Sequence, residues 1–336
     1  MFINATGYHI PEKTVPNSYF TEINGLTGEW IYQRTGIKSR VRATEKETIN
    51  YMCMKAVEDA LPKLNYELQD VDLIIFASYT PSDTIATAGH FVQREFGISG
   101  AKVFHLSSAC SSGINAMEVI KSFFESGMSK KALLICADRN STYSDDKDSV
   151  SGHLWGDAAV AYFFSNERLS LSETEIMDLS SQGLGHVGLG PEAVKLNPME
   201  GGLQMPFGKD VFTYACTYIA QNTKDIVERN GLTLDNLSYF IGHQANMRIL
   251  KNVANRLGLP EEKSLSNIED CGNTGSVSAL LVYAMNDRKF KDSDIVCMSV
   301  FGGGYSAGAC LMKTGSRLNG KINGAKASIG QAVKAN

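Results

Sequence analysis

Apolar positions recur along the chain in two rhythms. In residues 51–64 and 213–230 they return at the period of an amphipathic helix, and Ile114, Met117, Ile120 and Phe124 fall at the same spacing. Short apolar runs at 73–78, 132–137, 158–164, 238–242, 295–300 and 308–313 predict strands. The elements come in two series of similar order: a helix, a strand, a second helix, then two strands. Asp70-Val71-Asp72-Leu73-Ile74-Ile75-Phe76 and Asp235-Asn236-Leu237-Ser238-Tyr239-Phe240-Ile241 hold equivalent places in them, a faint internal repeat. The alternation predicts an α/β protein.

Composition narrows the class. A chain of 336 residues, 43% hydrophobic, suits one large domain or two packed smaller ones. A net charge of −4 gives no nucleic-acid footprint. No apolar run approaches the roughly 20 residues that span a bilayer, and Met1-Phe2-Ile3-Asn4 does not begin a signal peptide. Seven cysteines lack framework spacing, and no Cys-x-x-Cys pair indicates zinc. Cys136 and Cys297 lie in apolar runs, where inert packing is expected. These features predict a soluble, cytoplasmic enzyme without metal or membrane contact. The Gly- and Pro-containing segment 180–208 is expected to form surface loops and part of a pocket rim. Beyond Thr314 the chain carries four basic residues, no acidic ones and several glycines, so 314–336 is expected to be a flexible basic tail.

The chemistry concentrates at Ser107-Ser108-Ala109-Cys110-Ser111-Ser112-Gly113. Small residues around Cys110 permit a sharp turn at a helix N-terminus, where free N–H groups and the helix dipole favour thiolate. Ile241-Gly242-His243-Gln244-Ala245-Asn246 places a histidine at a strand end. Cys271-Gly272-Asn273-Thr274-Gly275-Ser276 places an asparagine in a Gly-flanked turn. Each has a bland reading: an inert buried cysteine, a satisfied core histidine, an asparagine chosen for turn geometry. Their joint presence points to Cys, His and Asn, a set that thioester chemistry uses. Phe301-Gly302-Gly303-Gly304-Tyr305 lets backbone approach a ligand closely and does not fit a dinucleotide fingerprint.

Together these segments resemble the β-ketoacyl-acyl-carrier-protein synthase III family of the thiolase superfamily. The match runs from Ile3 to about Lys313 and includes Glu29-Trp30-Ile31-Tyr32-Gln33-Arg34-Thr35-Gly36-Ile37 and Gly156-Asp157. The resemblance implies a thiolase-like five-layered αβαβα fold from two pseudo-repeated halves, 1–170 bearing the cysteine and 171–313 bearing the His, Asn and Gly-rich loop. It implies a decarboxylative Claisen condensation of an acyl thioester, on coenzyme A or acyl carrier protein, with malonyl-carrier protein. Cys110, His243 and Asn273 would be catalytic, and the N–H groups of Cys110 and Gly303 would form the oxyanion hole. No metal or redox cofactor is implied.

By the same resemblance Trp30 and Arg34 would hold the coenzyme A adenine, Lys209 would lie near the pantetheine arm, and Ala245 and Asn246 would help bind substrate or carrier. Arg248, Lys251 and Arg256 fall on one side of a predicted helix and would dock the acidic carrier protein, a solvated charged face being the alternative. A homodimer is implied, with Ile85 reaching the partner's acyl pocket and Trp155 lining the chain's own. The chain departs from the family at Ser149, where an arginine commonly forms the second adenine wall, and at Lys209, where Asn is usual. Trp155 replaces a common Phe. These departures keep open a specialised ketosynthase of aryl polyene, alkylresorcinol or quinolone type beside an initiating enzyme of fatty acid biosynthesis. A cysteine thioester hydrolase and a non-catalytic partner subunit are the alternatives from other classes.

Overall fold

The structure, a computed structural model, describes residues 1–80 and 82–316. Its strands in chain order are β1 (Phe2–His9), β2 (Lys13–Pro16), β3 (Ser39–Arg42), β4 (Leu73–Ala77), β5 (Lys102–Leu106), β6 (Lys131–Arg139), β7 (Asp157–Ser165), β8 (Thr174–Gly183), β9 (Lys195–Asn197), β10 (Gly202–Gln204), β11 (Tyr239–Gly242), β12 (Ile295–Gly302) and β13 (Ser306–Lys313). Nine of them form one sheet in the order β11-β12-β13-β8-β1-β7-β6-β4-β5.

That sheet is two groups joined by a thin seam. β8 meets β1 only at Phe2↔Glu175 and Ile3↔Thr174. On one side β4 runs parallel to β6, β6 antiparallel to β7, and β7 antiparallel to β1. On the other β11 runs parallel to β12, β12 antiparallel to β13, and β13 antiparallel to β8. The pairing pattern therefore repeats, as the faint sequence repeat implied.

Alternation along the strands makes the layers. Ile75, Leu134 and Val160 of the first group, and Met298 and Cys310 of the second, share one core with the helices Ser112–Glu125 and Ser278–Met285. Their neighbours Ile74, Leu133 and Ala161 turn the other way, onto helix Ile49–Ala60. Cys297 and Leu311 face helices Gly208–Arg229 and Met247–Leu257. The order is helix, sheet, helix, sheet, helix: the five-layered αβαβα fold. Strands apolar on both faces are what such burial demands. The central helices pack closely because Gly113 has no side chain, and a Cβ there would lie 2.6 Å from Leu280 Cδ1.

Three strands of the large sheet, β1, β5 and β8, were not among the expected ones. Each mixes polar with apolar residues and is only partly buried. β8 extends to Gly183, so the segment expected to be loop from 180 begins as strand. The start of the expected tail is also docked: Thr314 is buried, and its N–H donates to Asp294 O at 3.0 Å. Residues 317–336 of that expectation lie outside the described residues.

Candidate active site

Cys110 sits immediately before helix Ser112–Glu125. Ala109 takes a left-handed φ of 50°, rare without glycine, and turns the chain sharply. Serines lock the turn. Ser112 Oγ accepts from Ser108 N–H at 2.8 Å and donates to Ala109 O at 2.6 Å. Ser111 Oγ donates to Ser108 O at 2.8 Å and meets Ser306 Oγ, at the start of β13, at 2.5 Å. The Gly-rich loop is thereby pinned to the cysteine turn. Contact is so close that a Cβ on Gly302 would lie 2.6 Å from Cys110 Cβ and 2.7 Å from its backbone nitrogen.

Cys110 borders a cavity of about 390 Å³ walled by Tyr79, Trp155, Val194, Leu203, Gly303 and Ser306. Burial, and after it the Asp138 carboxylate, push the Cys110 thiol up to about 12, against hydrogen bonds from the Gly303 and Cys110 N–H groups and the Tyr79 hydroxyl. The expectation that the helix start would favour thiolate therefore does not describe this site at rest. Desolvation outweighs the donors, and no cation among the described residues offsets it at the sulfur. The Gly302-Gly303 backbone nevertheless packs directly against Cys110 at the cavity wall.

His243 follows the last residue of β11 and is buried. Its N–H donates to Ser299 O of β12 at 2.9 Å, a few residues before Gly302. Its Nδ1 meets Ser278 Oγ at 2.7 Å, and the same Oγ accepts from Gln244 N–H at 3.2 Å. When Ser278 donates its one proton to Nδ1, Nε2 carries the ring proton. Burial lowers the His243 pKa to about 4, so the ring is neutral near pH 7. A neutral Nε2–H is a hydrogen-bond donor, not an acid.

Asn273 reaches the cavity wall through Trp155. Its N–H donates to Leu154 O and its carbonyl accepts from Gly156 N–H, both at 2.9 Å, bracketing Trp155. Asn273 Oδ1 accepts from Gly275 N–H at 3.0 Å, which fixes the amide and leaves Nδ2 as the free donor end. The structure thus brings Cys110, Gly303 and Trp155 to one cavity. His243 and Asn273 are not among the residues that line it; Asn273 is bonded to the neighbours of Trp155, and His243 to β12 ahead of the Gly-rich loop.

The remaining expected residues lie on the outer surface. Trp30 is partly exposed, with the Arg34 guanidinium 5.4 Å from its ring centroid. Asn246 Nδ2 donates to Arg34 O at 3.1 Å and joins this pair to helix Met247–Leu257, with Ala245 half-buried beside it. Ser149 and Lys209 are exposed. Arg248, Lys251 and Arg256 are exposed on one helix, Arg248 over the Phe212 ring at 5.7 Å and Arg256 donating to Thr217 Oγ1 at 3.4 Å. Ile85 is 88% exposed and does not line the cavity of its own chain.

Sequence reasoning missed Tyr79, Ser278, Ser306 and Asp138. Only Asp138 left a signal, as a lone carboxylate closing an apolar run. No group of three His, Cys, Asp or Glu residues fit to hold a metal occurs among the described residues, and none of their helices is long and apolar enough to cross a membrane. All seven cysteines are free.

Two family profiles match the chain: 3-oxoacyl-[acyl-carrier-protein] synthase III over residues 104–183, and the C-terminal part of the same family over 227–314. The β-ketoacyl-[acyl-carrier-protein] synthase III of Oceanobacillus iheyensis is 31% identical over 315 residues, 93% of this chain and 98% of that protein. The crystal structure of 3-oxoacyl-[acyl-carrier-protein] synthase III from Aquifex aeolicus superposes with a TM-score of 0.86 at 32% identity, covering 93% of this chain and 99% of that one. The priming β-ketosynthase of the R1128 polyketide pathway superposes with a TM-score of 0.85 at 28% identity, covering 94% and 96%.

Proposed function

The chain belongs to the 3-oxoacyl-[acyl-carrier-protein] synthase III family, and we propose that it performs this family's condensation with Cys110 as nucleophile and His243 and Asn273 as donors to the enolate. It is an acyltransferase of the β-ketoacyl-[acyl-carrier-protein] synthase III type. In the first step the Cys110 sulfur loses its proton and attacks an acyl thioester. The carrier thiol leaves with a proton, and the acyl group stays on the sulfur. The N–H groups of Cys110 and Gly303 stabilise the intervening oxyanion, and the burial that disfavours free thiolate strengthens these bonds.

In the second step malonyl thioester loses carbon dioxide, and its electron pair moves toward the thioester oxygen. His243 Nε2–H and Asn273 Nδ2–H donate to that oxygen. The carbanion attacks the acyl-Cys110 carbonyl, and the sulfur departs and regains a proton. Both donors are neutral at working pH, so neither needs to be recharged between turnovers. The observation that carries this reading is the close packing of the Gly302-Gly303 backbone on Cys110 at the wall of the cavity.

The substrates arrive on phosphopantetheine and supply their own reactive groups, so the reading needs no metal or redox cofactor. Trp30 and Arg34 face the nucleotide, with Lys209, Ala245 and Asn246 along the arm. The exposed Arg248, Lys251 and Arg256 receive acyl carrier protein. Ile85, 88% exposed, enters a partner's acyl pocket in a homodimer. Seven free cysteines fit the reducing cytoplasm. Exposed Ser149 in place of a second adenine wall, and the likeness to a polyketide priming enzyme, favour a specialised pathway as the second reading. The test is intact-protein mass spectrometry with a panel of acyl-coenzyme A donors, followed by malonyl-carrier protein. An acyl adduct on Cys110 that malonyl-carrier protein discharges into a β-ketoacyl product supports the proposal. Discharge to free acid, with no new carbon–carbon bond, refutes it.

A further inference from the structure

Asp138 lies near the end of β6 with no solvent exposure. Its carboxylate gathers five donors from two distant parts of the chain. Oδ1 accepts from Ser78 Oγ at 3.1 Å, Tyr79 N–H at 3.1 Å and Thr80 Oγ1 at 2.9 Å. Oδ2 accepts from Ser276 N–H at 2.8 Å and Ser276 Oγ at 2.6 Å. The first set belongs to the loop that carries Tyr79 into the Cys110 cavity. The second belongs to the turn that begins at Asn273, whose Oδ1 is bonded to Gly275 N–H. Gly275 sits between them at φ +67°, and a Cβ there would lie 2.4 Å from Tyr79 Oη and 2.6 Å from Asp138 Oδ2.

We infer that Asp138 is a positioning residue: it ties the turn bearing Asn273 to the loop that carries Tyr79 into the Cys110 cavity. The inference rests on the function proposed above. A buried carboxylate without a cation is costly, and no salt bridge reaches Asp138 among the described residues. An apolar residue would fill the place at less cost but leave five donors without an acceptor. The titratable groups that feel its charge are Tyr79, Cys110, Cys136 and Cys53, and each is pushed further toward its neutral form. Burial raises Asp138 itself to about 6 despite its donors, so it is ionised through the alkaline range where Cys110 titrates.

Two variants test the tie. Ser276→Ala removes one of the two bonds from the Asn273 turn, and Asp138→Asn keeps the shape but loses one acceptor oxygen. Single-turnover acylation and malonyl-dependent release of labelled carbon dioxide read the positioning. Ser276→Ala should slow carbon dioxide release about three- to tenfold, the effect of one hydrogen bond, and leave acylation within about twofold. Equal losses in both steps for Ser276→Ala overturn the positioning role, and this variant decides alone if Asp138→Asn does not fold. If the wild type takes no acyl group, the proposed function fails, while amide hydrogen exchange in the 273–277 turn still judges the tie: it should speed up about three- to tenfold in Ser276→Ala, and an unchanged rate overturns it.

Discussion

Gly302→Ala adds one methyl group where the Gly-rich loop presses on the nucleophile turn. The new Cβ would stand 2.6 Å from Cys110 Cβ and 2.7 Å from Cys110 N. Ordinary contacts begin near 3.4 Å, so the two segments must part by about 1 Å. Neither side yields easily. The cysteine turn is held by Ser111 and Ser112, and Ser306 ties β13 to the same turn through Ser108 O at 3.0 Å. A hydrogen bond lengthened by about 1 Å is lost, and Gly303 N–H is the donor that would move. Loss of one oxyanion donor typically costs about 10²–10³ in rate. Overpacking adds about 1–3 kcal/mol of destabilisation. Gly303→Ala is the control, because its Cβ would meet Val194 Cβ at 3.3 Å and Ala109 Cβ at 3.6 Å, contacts that small shifts absorb. Single-turnover acylation with a radiolabelled acyl donor, beside thermal unfolding, measures both. Gly302→Ala should acylate about 10²-fold more slowly and Gly303→Ala within about threefold of wild type. Near-wild-type acylation by Gly302→Ala, or equal damage from both alanines, would refute the oxyanion geometry.

Other perturbations test separate parts of the site. Cys110→Ser should form no acyl adduct, since an alcohol is a far weaker nucleophile; an adduct on Cys271 of the wild type in intact-protein mass spectrometry would contradict the assignment. His243 should titrate near 4, neutral above that pH and protonated as pH falls through it, because burial opposes the imidazolium; an NMR midpoint near the ordinary 6.5 would show that the ring is solvated. Ser278→Ala frees Nδ1 and lets the other tautomer form, so carbon dioxide release should fall about tenfold with acylation little changed; an unaffected condensation rate would mean that Ser278 does not set the tautomer. Ile85→Glu should dissociate the proposed homodimer in sedimentation, because a carboxylate would be desolvated at the interface; a wild type that is monomeric at micromolar concentration removes the basis for that expectation.

Much of this protein was legible along the chain because it depends on neighbours in sequence. Strands buried on both faces are mostly apolar, so β4, β6, β7 and β12 announce themselves, while β1, β5 and β8, only partly buried and mixed with polar residues, do not. The order of the Cys, His and Asn motifs carried the family and its chemistry, since each motif is a local turn with local requirements. Tertiary structure decided what depends on distance. Gly302 and Gly303 are adjacent and identical in type, yet one presses on Cys110 and the other has room. Asp138 and Ser276 are 138 positions apart, and only the packing of one sheet group on the other makes them partners. The acidity of Cys110 depends on space in the same way: a helix start favours thiolate, but desolvation at the cavity wall pushes the thiol pKa up. Desolvation depends on everything that surrounds an atom in space, and those neighbours come from the whole length of the chain.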